Sequence, residues 1–287
     1  MSEKHEDVWK QLNETIESST LYIVSTPIGN LADITIRALH VLSNVDYIAA
    51  EDTRHTRVLL NRYGIEAQLR SYHEHNAAKV FPQLLEELRR GSAIALVSDA
   101  GTPGVSDPGY RLIHEAIDEG FKVIPISGAS ALLAAIVPSG LPLDRFVFEG
   151  FLPKKKGRST KLNQLVEETR TMVFYESPKR LSKTLKEFCE IFGLERQCVV
   201  CRELTKNYEE FVRGTLEELN EKYKEENAKG EIVIVLEGKR SQKKRDKSLK
   251  NRKRNNYMPF PESEDLDDDS GKLNFPSYSI GDSKKKR

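Results

Sequence analysis

Three short strings rich in glycine, proline and small hydroxyl residues carry the clearest chemical signal in this chain: Ser25-Thr-Pro-Ile-Gly-Asn30, Ser98-Asp-Ala-Gly-Thr-Pro103 and Ser127-Gly-Ala-Ser-Ala131. Each follows a short apolar run with strand character. In an open α/β sheet, loops leaving the carboxyl ends of strands line the ligand crevice. Glycine lets backbone approach a ligand closely, and proline holds a loop in one shape. An ordinary strand-to-helix turn draws on the same residues, so the weight lies in three such loops together. None spells G-x-G-x-x-G, and the chain has no G-x-x-x-x-G-K-[ST], so neither the dinucleotide fingerprint nor a P-loop is present. Backbone donors, small hydroxyls and one carboxylate, Asp99, suit a ligand with ribose hydroxyls, an adenine edge and positive charge. S-adenosylmethionine has those properties; ATP, without its lysine and magnesium carboxylates here, does not fit.

A second polar set lies at another strand end. Glu51, Asp52 and Arg54 follow the run 47–50, and Ser71-Tyr-His-Glu-His-Asn76 is a dense hydrogen-bonding loop. Paired carboxylates with His73 and Arg54 nearby can supply a proton acceptor and a ribose or phosphate anchor. The same residues also have a purely structural use: Asp52 and Thr53 can cap a helix, and Arg54 can pair with Glu51 or Asp52. His73 and His75 lack a third partner at metal-ligand spacing, so no metal site is assigned. In the second half, Lys154, Lys155, Lys156, Arg158, Lys179, Arg180, Arg202 and Lys206 fall in three loop-like segments. Such groups supply sequence-independent affinity for nucleic-acid phosphates, although a lysine run is often only a solvated face.

Elements of alternating type must position these residues. Strands are expected at 21–25, 47–50, 93–98 and 122–126, with helices at 34–42, 53–63, 80–90, 110–119 and 130–137. This alternation implies βαβ units and a mostly parallel sheet. Beyond a Pro- and Gly-rich hinge at 138–142, strands are expected at 145–151, 171–175, 197–204, 211–214 and 231–236. Helices are expected there at 161–168, 181–192 and 216–225. Strand runs without intervening helices point to a mixed or antiparallel second sheet. The expected division is a polar, helical N-terminal extension (1–19), an N-terminal α/β lobe (20–140), a C-terminal α/β lobe (141–238) and a charged low-complexity tail (239–287), disordered by composition.

Composition sets outer bounds. The 287 residues carry a formal net charge of +1 and are 31% charged, so no overall basic footprint marks the chain. Three cysteines cannot build a disulfide framework, which points to a reducing, cytoplasmic setting. Cys198 and Cys201 form a C-x-x-C inside a β-branched run, a pattern that favours packing over zinc or redox chemistry. No apolar stretch reaches membrane-spanning length, and no signal-peptide core begins the chain.

Seven motifs in series give a more specific reading. Thr26-Pro-Ile-Gly-Asn-Leu-Ala-Asp33, Ala50-Glu-Asp-Thr-Arg54, Ser98-Asp-Ala-Gly-Thr-Pro103 with Ser106-Asp-Pro-Gly109, Ser139-Gly-Leu-Pro142, Glu149-Gly-Phe-Leu-Pro153, Phe174-Tyr-Glu-Ser-Pro178 and Arg202-Glu-Leu-Thr-Lys206 together resemble the ribosomal RNA small-subunit methyltransferase I family. That family has the tetrapyrrole methylase fold. The resemblance runs from about residue 21 to residue 238. It implies two α/β lobes with S-adenosylmethionine in the cleft between them, 2′-O-methylation of a cytidine ribose in 16S ribosomal RNA at the decoding centre, and a homodimer. It places the cofactor contacts on Pro27, Ile28, Asp99, Thr102, Ser130, Ala131, Tyr175 and Leu204. Glu51 or Asp52 would accept the 2′-hydroxyl proton, with Arg54 and His73 orienting the sugar–phosphate. The 16S RNA of the small subunit would lie along Lys154, Lys155, Lys156, Arg158, Lys179, Arg180 and Lys206. Alternatives are a tetrapyrrole or protein-modifying methyltransferase of the same fold, and a non-catalytic ribosome-assembly factor.

Overall fold

A computed structural model describes residues 8–106, 109–224 and 228–239. The charged tail from 240, the first seven residues, Asp107 with Pro108, and the expected helix end at 225 lie outside the described residues.

The first sheet contains β1 (Thr20–Val24), β2 (Tyr47–Ala50), β3 (Leu69–Ser71), β4 (Ile94–Val97) and β5 (Lys122–Ile126) in the order β3-β2-β4-β1-β5. All four pairings are parallel. β1, β2 and β4 are buried along their whole length, as strands covered on both faces must be. Helices α1 (Ile36–Asn44) and α2 (Thr53–Arg62) pack on one face through Leu39, Leu42, Leu59 and Leu60. Helices α3 (Ala77–Arg89) and α4 (Tyr110–Asp118) cover the other through Phe81, Leu84 and Leu112. Thr35 caps α1 by accepting from the Ala38 N–H at 3.1 Å. β5 closes the sheet at an edge, where Pro125 removes no ladder donor that a neighbour needs.

The second sheet contains β6 (Phe146–Phe151), β7 (Thr171–Glu176), β8 (Gln197–Arg202), β9 (Glu210–Thr215) and β10 (Ile232–Leu236), ordered β6-β7-β10-β8-β9. Only β6 and β7 run parallel; the other three pairings are antiparallel. Helices α7 (Leu181–Phe192) and α8 (Leu216–Lys222) seal one face with Leu185, Phe188 and Leu216. The opposite face meets helix α5 (Ala131–Ile136) and Ile28, which join Val173, Val199 and Val233 in one core. The two sheets therefore share a seam of packed side chains, and they belong to one compact unit ending at Lys239. Cys198 and Cys201 point to opposite faces of β8, one into each of these cores, so they cannot act as a pair.

Several local features differ from expectation. β3 is a three-residue strand on the sheet edge, too short and too polar to show period-two alternation. Helix α6 (Arg158–Gln164) begins and ends earlier than 161–168, because Gly157, at φ +82°, turns the chain into it. Among its described residues, the N-terminal extension has a single 3-10 turn (Val8–Gln11) followed by irregular chain. It folds back on α1: Trp9 and Ile16 pack on the first core, and both ring nitrogens of His40 meet backbone carbonyls of Trp9 and Glu14, at 2.9 and 2.7 Å.

Candidate functional site

Strand order brings the three glycine-rich loops together. β4, β1 and β5 are neighbours, so the loops leaving their carboxyl ends converge on one place. There a cavity of about 720 Å³ opens against the second sheet, within the roughly 300–1,000 Å³ typical of small-molecule sites. Ile28, Thr102, Ser130 and Ala131 line it from the first sheet's side, Tyr175 and Leu204 from the second. Its rim is built by close backbone approach. Thr26 and Gly101 exchange two backbone hydrogen bonds of 2.9 and 3.0 Å, and Gly101 takes φ +78°, a conformation that favours glycine. A Cβ on Gly128 would stand 2.9 Å from Ser25 Cβ and 3.1 Å from its carbonyl oxygen. The Ser25 and Thr102 hydroxyls meet at 2.8 Å.

Among the described residues, no lysine, arginine or histidine lines this cavity. Its charged wall residues are Glu176 and Glu231, so a polyphosphate would find no countercharge and a cation would meet no repulsion. Two residues expected at the cofactor are placed elsewhere. Pro27, within the first loop, is buried and is not among the residues lining the cavity. Asp99 turns away from it, toward the end of β2.

Asp99 instead joins an acidic crevice between β2 and β4. Its Oδ1 accepts the Asp52 N–H at 3.0 Å, while its own N–H donates to Glu51 Oε2 at 3.3 Å. Burial pushes the Glu51 carboxyl above the usual carboxylate range, and the neighbouring Asp99 and Asp52 charges add to this. The Asp99 N–H and the nearby His73 act in the opposite direction. Asp52 is quite different. It caps α2 through the Arg54 N–H at 2.8 Å and takes the Arg54 guanidinium at 3.1 and 2.6 Å. Those bonds hold its carboxyl far below the usual range. The two carboxyls thus differ: Glu51 is raised by burial, whereas Asp52 is committed to a cap and an ion pair. The His73 Nδ1 is buried without a hydrogen-bond partner, and its ring meets that of His75 edge-on at 5.9 Å.

The basic residues of the second lobe divide sharply. Lys154, Lys155, Lys156 and Lys179 are exposed. Arg158 corrects the expectation of a phosphate contact: it is only 5% exposed and faces inward. Its Nε donates to Glu187 Oε2 and its Nη2 to Thr184 Oγ1, both at 2.7 Å, with Nη1 on the Pro153 carbonyl at 3.2 Å. The Thr184 hydroxyl in turn donates to Glu176 Oε2 at 2.7 Å, and Arg180 Nη2 reaches Glu176 Oε1 at 2.7 Å. Arg180 is thereby engaged as well. Lys206 lies between Glu203 and Glu231, at 3.0 and 3.2 Å, and Arg202 pairs with Glu210 at 3.1 Å. Glu176 and Thr184, which organise this cluster, escaped the sequence reading; the i,i+4 spacing of Glu176 and Arg180 was the signal available. A seam contact escaped it too: the Asn30 N–H donates to Thr205 Oγ1 at 3.2 Å, tying the first loop to the second lobe.

Comparison with known proteins adds to this geometry. The family profile described as Tetrapyrrole (Corrin/Porphyrin) Methylases matches residues 20–220. A ribosomal RNA small subunit methyltransferase I from Mesorhizobium japonicum is 54% identical over 218 residues, covering 75% of this chain and 74% of the relative. The protein of the same name from Thermotoga maritima is 49% identical over 219 residues, 76% of this chain and 98% of its own. Among solved structures, uroporphyrin-III C-methyltransferase from Thermus thermophilus, complexed with S-adenosylhomocysteine, aligns with a TM-score of 0.55 at 20% identity, over 75% of this chain and 96% of that one. At that identity the likeness speaks for the fold.

Proposed function

The chain belongs to the tetrapyrrole methylase family, in its ribosomal RNA small subunit methyltransferase I branch, and we propose on that premise that it moves a methyl group from S-adenosylmethionine to the 2′-oxygen of a cytidine ribose in 16S ribosomal RNA, at the decoding centre. The observation that carries the cofactor half is the cavity wall, with its hydroxyls, close backbone and carboxylates but no basic group among the described residues. A neutral nucleoside bearing a sulfonium fits that donor set. Bound there, the cofactor supplies a methyl carbon made electrophilic by the adjacent sulfonium. Ser130 and Thr102 offer polar contacts, and Ile28, Ala131, Tyr175 and Leu204 exclude water around it.

The protein's own task is then alignment and proton removal. Most of the rate gain in a displacement of this kind comes from holding the two reacting atoms in line. Glu51, raised by burial and facing the crevice beside the cavity loops, accepts the ribose proton as the new bond forms. His73 and Arg54 orient the sugar–phosphate. Lys154, Lys155, Lys156 and Lys179, all exposed, hold RNA phosphates. Replacing the three consecutive lysines with alanine should make log Kd against log salt shallower by about 0.7 per lost phosphate contact; an unchanged slope removes that loop from the interface. A homodimer and a cytoplasmic location accompany this reading. No helix among the described residues is long and apolar enough to cross a membrane.

The test offers labelled S-adenosylmethionine to the purified protein with small subunits, naked 16S RNA and tetrapyrrole precursors in parallel. Label at one cytidine 2′-oxygen is the expected result. Label in the tetrapyrrole pool, or binding of RNA without any transfer, overturns it.

A further inference from the structure

We propose that the outward face of α2 is a second docking surface for the RNA strand, with Arg57 at its centre; the proposal rests on the rRNA-methyltransferase reading above. The ten residues of α2, TRHTRVLLNR, include three arginines and a histidine and no acid. Thr56, Leu59 and Leu60 face the core, so Arg54, Arg57, Val58 and Asn61 share the opposite side. Between these four and Thr53 lies a surface hollow of about 320 Å³.

Charge placement in the first turn of this helix runs against local stability. The amino end of a helix favours acids, yet its first turn carries Arg54 and His55. Local rules broken without evident compensation are concentrated at functional sites. Here Asp52 offsets only Arg54. Arg57 and Arg62 reach no carboxylate among the described residues, whereas Arg37, Arg89, Arg90 and Arg170 each do. Arg57 lines the hollow and Arg62 stands exposed further along the helix. Two exposed guanidinium groups, neither reaching a carboxylate among the described residues, are complementary to phosphates of a strand crossing the helix.

Position selects the kind of ligand. α2 begins two residues after Glu51, so a chain lying along it is led to the acidic crevice. The target hydroxyl must be accessible from the side of the strand, and side chains read RNA sequence mainly in single-stranded stretches. A single strand threaded over α2, its phosphates on Arg57 and Arg62, would present one ribose to Glu51. The second-lobe lysines would then hold the strand beyond the cleft.

The experiment titrates 16S RNA into full-length wild type, Arg57→Gln, Arg57→Gln/Arg62→Gln and Arg90→Gln over a series of salt concentrations. S-adenosylmethionine affinity, thermal melting and light scattering are measured on the same samples. The single and double variants should lose about 0.7 and about 1.4 of the salt slope, while Arg90→Gln, the cofactor affinity and the melting curves stay at wild-type values. A wild-type slope in the double variant overturns the α2 surface while leaving the enzymatic reading intact. A wild-type slope accompanied by a change in molecular mass makes this face a contact between copies and overturns it too. Wild type that methylates no RNA overturns the reading on which the surface depends.

Discussion

Two glutamates, each at the carboxyl end of a buried strand, have opposite surroundings. Glu176, ending β7, receives the Ser177 N–H, the Thr184 hydroxyl and the Arg180 guanidinium, each at 2.7 Å, with Arg158 at 3.7 Å. Glu51, following β2, receives one long backbone bond of 3.3 Å and has two further carboxylates for company. Saturation of a buried charge holds architecture together; incomplete saturation leaves a group able to take up a proton. Both sit in motifs rich in charge, Ala50-Glu-Asp-Thr-Arg54 and Tyr175-Glu-Ser-Pro-Lys-Arg180, and only the geometry separates them.

The sharpest way to break this contrast is Glu51→Gln. Loss of a proton acceptor should lower methyl transfer by about 10²–10⁴-fold, with cofactor affinity unchanged. Because the base must be ionised, wild-type kcat/KM should rise with pH through a limb lying above about 4.3, the ordinary glutamate value, and the variant should lack that limb. The stability sign is opposite to the activity sign. A carboxyl raised on folding opposes stability once pH climbs through its folded value, so Glu51→Gln should unfold no earlier than wild type at neutral pH. Wild-type turnover in the variant would move the proton acceptor elsewhere.

Glu176→Ala should do the reverse. It removes the acceptor of the buried Thr184 hydroxyl and the close partner of Arg180, leaving Arg158 with Glu187 for a carboxylate partner. Each group left unsatisfied costs about 1–3 kcal/mol, visible as a lower denaturation midpoint at unchanged slope. A midpoint within error of wild type would mean that the cluster is not structural. Arg158→Ala should likewise destabilise the fold rather than change the salt dependence of RNA binding.

Next in size is Gly128→Ala. The added methyl must displace Ser25, at an overpacking cost of about 1–3 kcal/mol; borne by the cofactor-bound arrangement of the loops, that weakens cofactor binding by about 5- to 150-fold. Calorimetric titration with S-adenosylmethionine checks this; unchanged affinity would show that the first and third loops can separate freely.

Asp52→Asn should have the smallest effect. Asparagine caps a helix as well as aspartate does, so turnover stays near wild type. The stability supplied by the Asp52–Arg54 pair is present above about pH 3.9 and is lost as acid protonates the folded carboxyl. The melting temperatures of variant and wild type should therefore converge in strong acid. A loss of turnover matching that of Glu51→Gln would return Asp52 to the centre of the chemistry.

Much of this molecule was legible along the chain. The bounds of β2, β5 and α7 follow directly from short strand-like runs and amphipathic spacing, since each depends on residues a few positions apart. The three loops were legible as well, because glycine and proline mark strand ends wherever they lie. β3 was not, having three residues and an arginine in the middle. Arg158 was not either: beside Lys154, Lys155 and Lys156 it has the appearance of one more surface cation, and only Thr184 and Glu187, more than twenty positions on, turn it inward.

What the amino-acid order determined by itself was the alternation of elements, the family and the residue types offered at each strand end. What tertiary structure decided was which ends meet. The order β3-β2-β4-β1-β5 places β1 between β4 and β5, gathering three distant loops around one cavity, and places β2 beside β4, which draws Asp99 from the cofactor wall to Glu51. Burial and hydrogen-bond saturation then give each carboxylate its character, and both are properties of neighbours in space. Local physics writes the parts; long-range packing assigns their work.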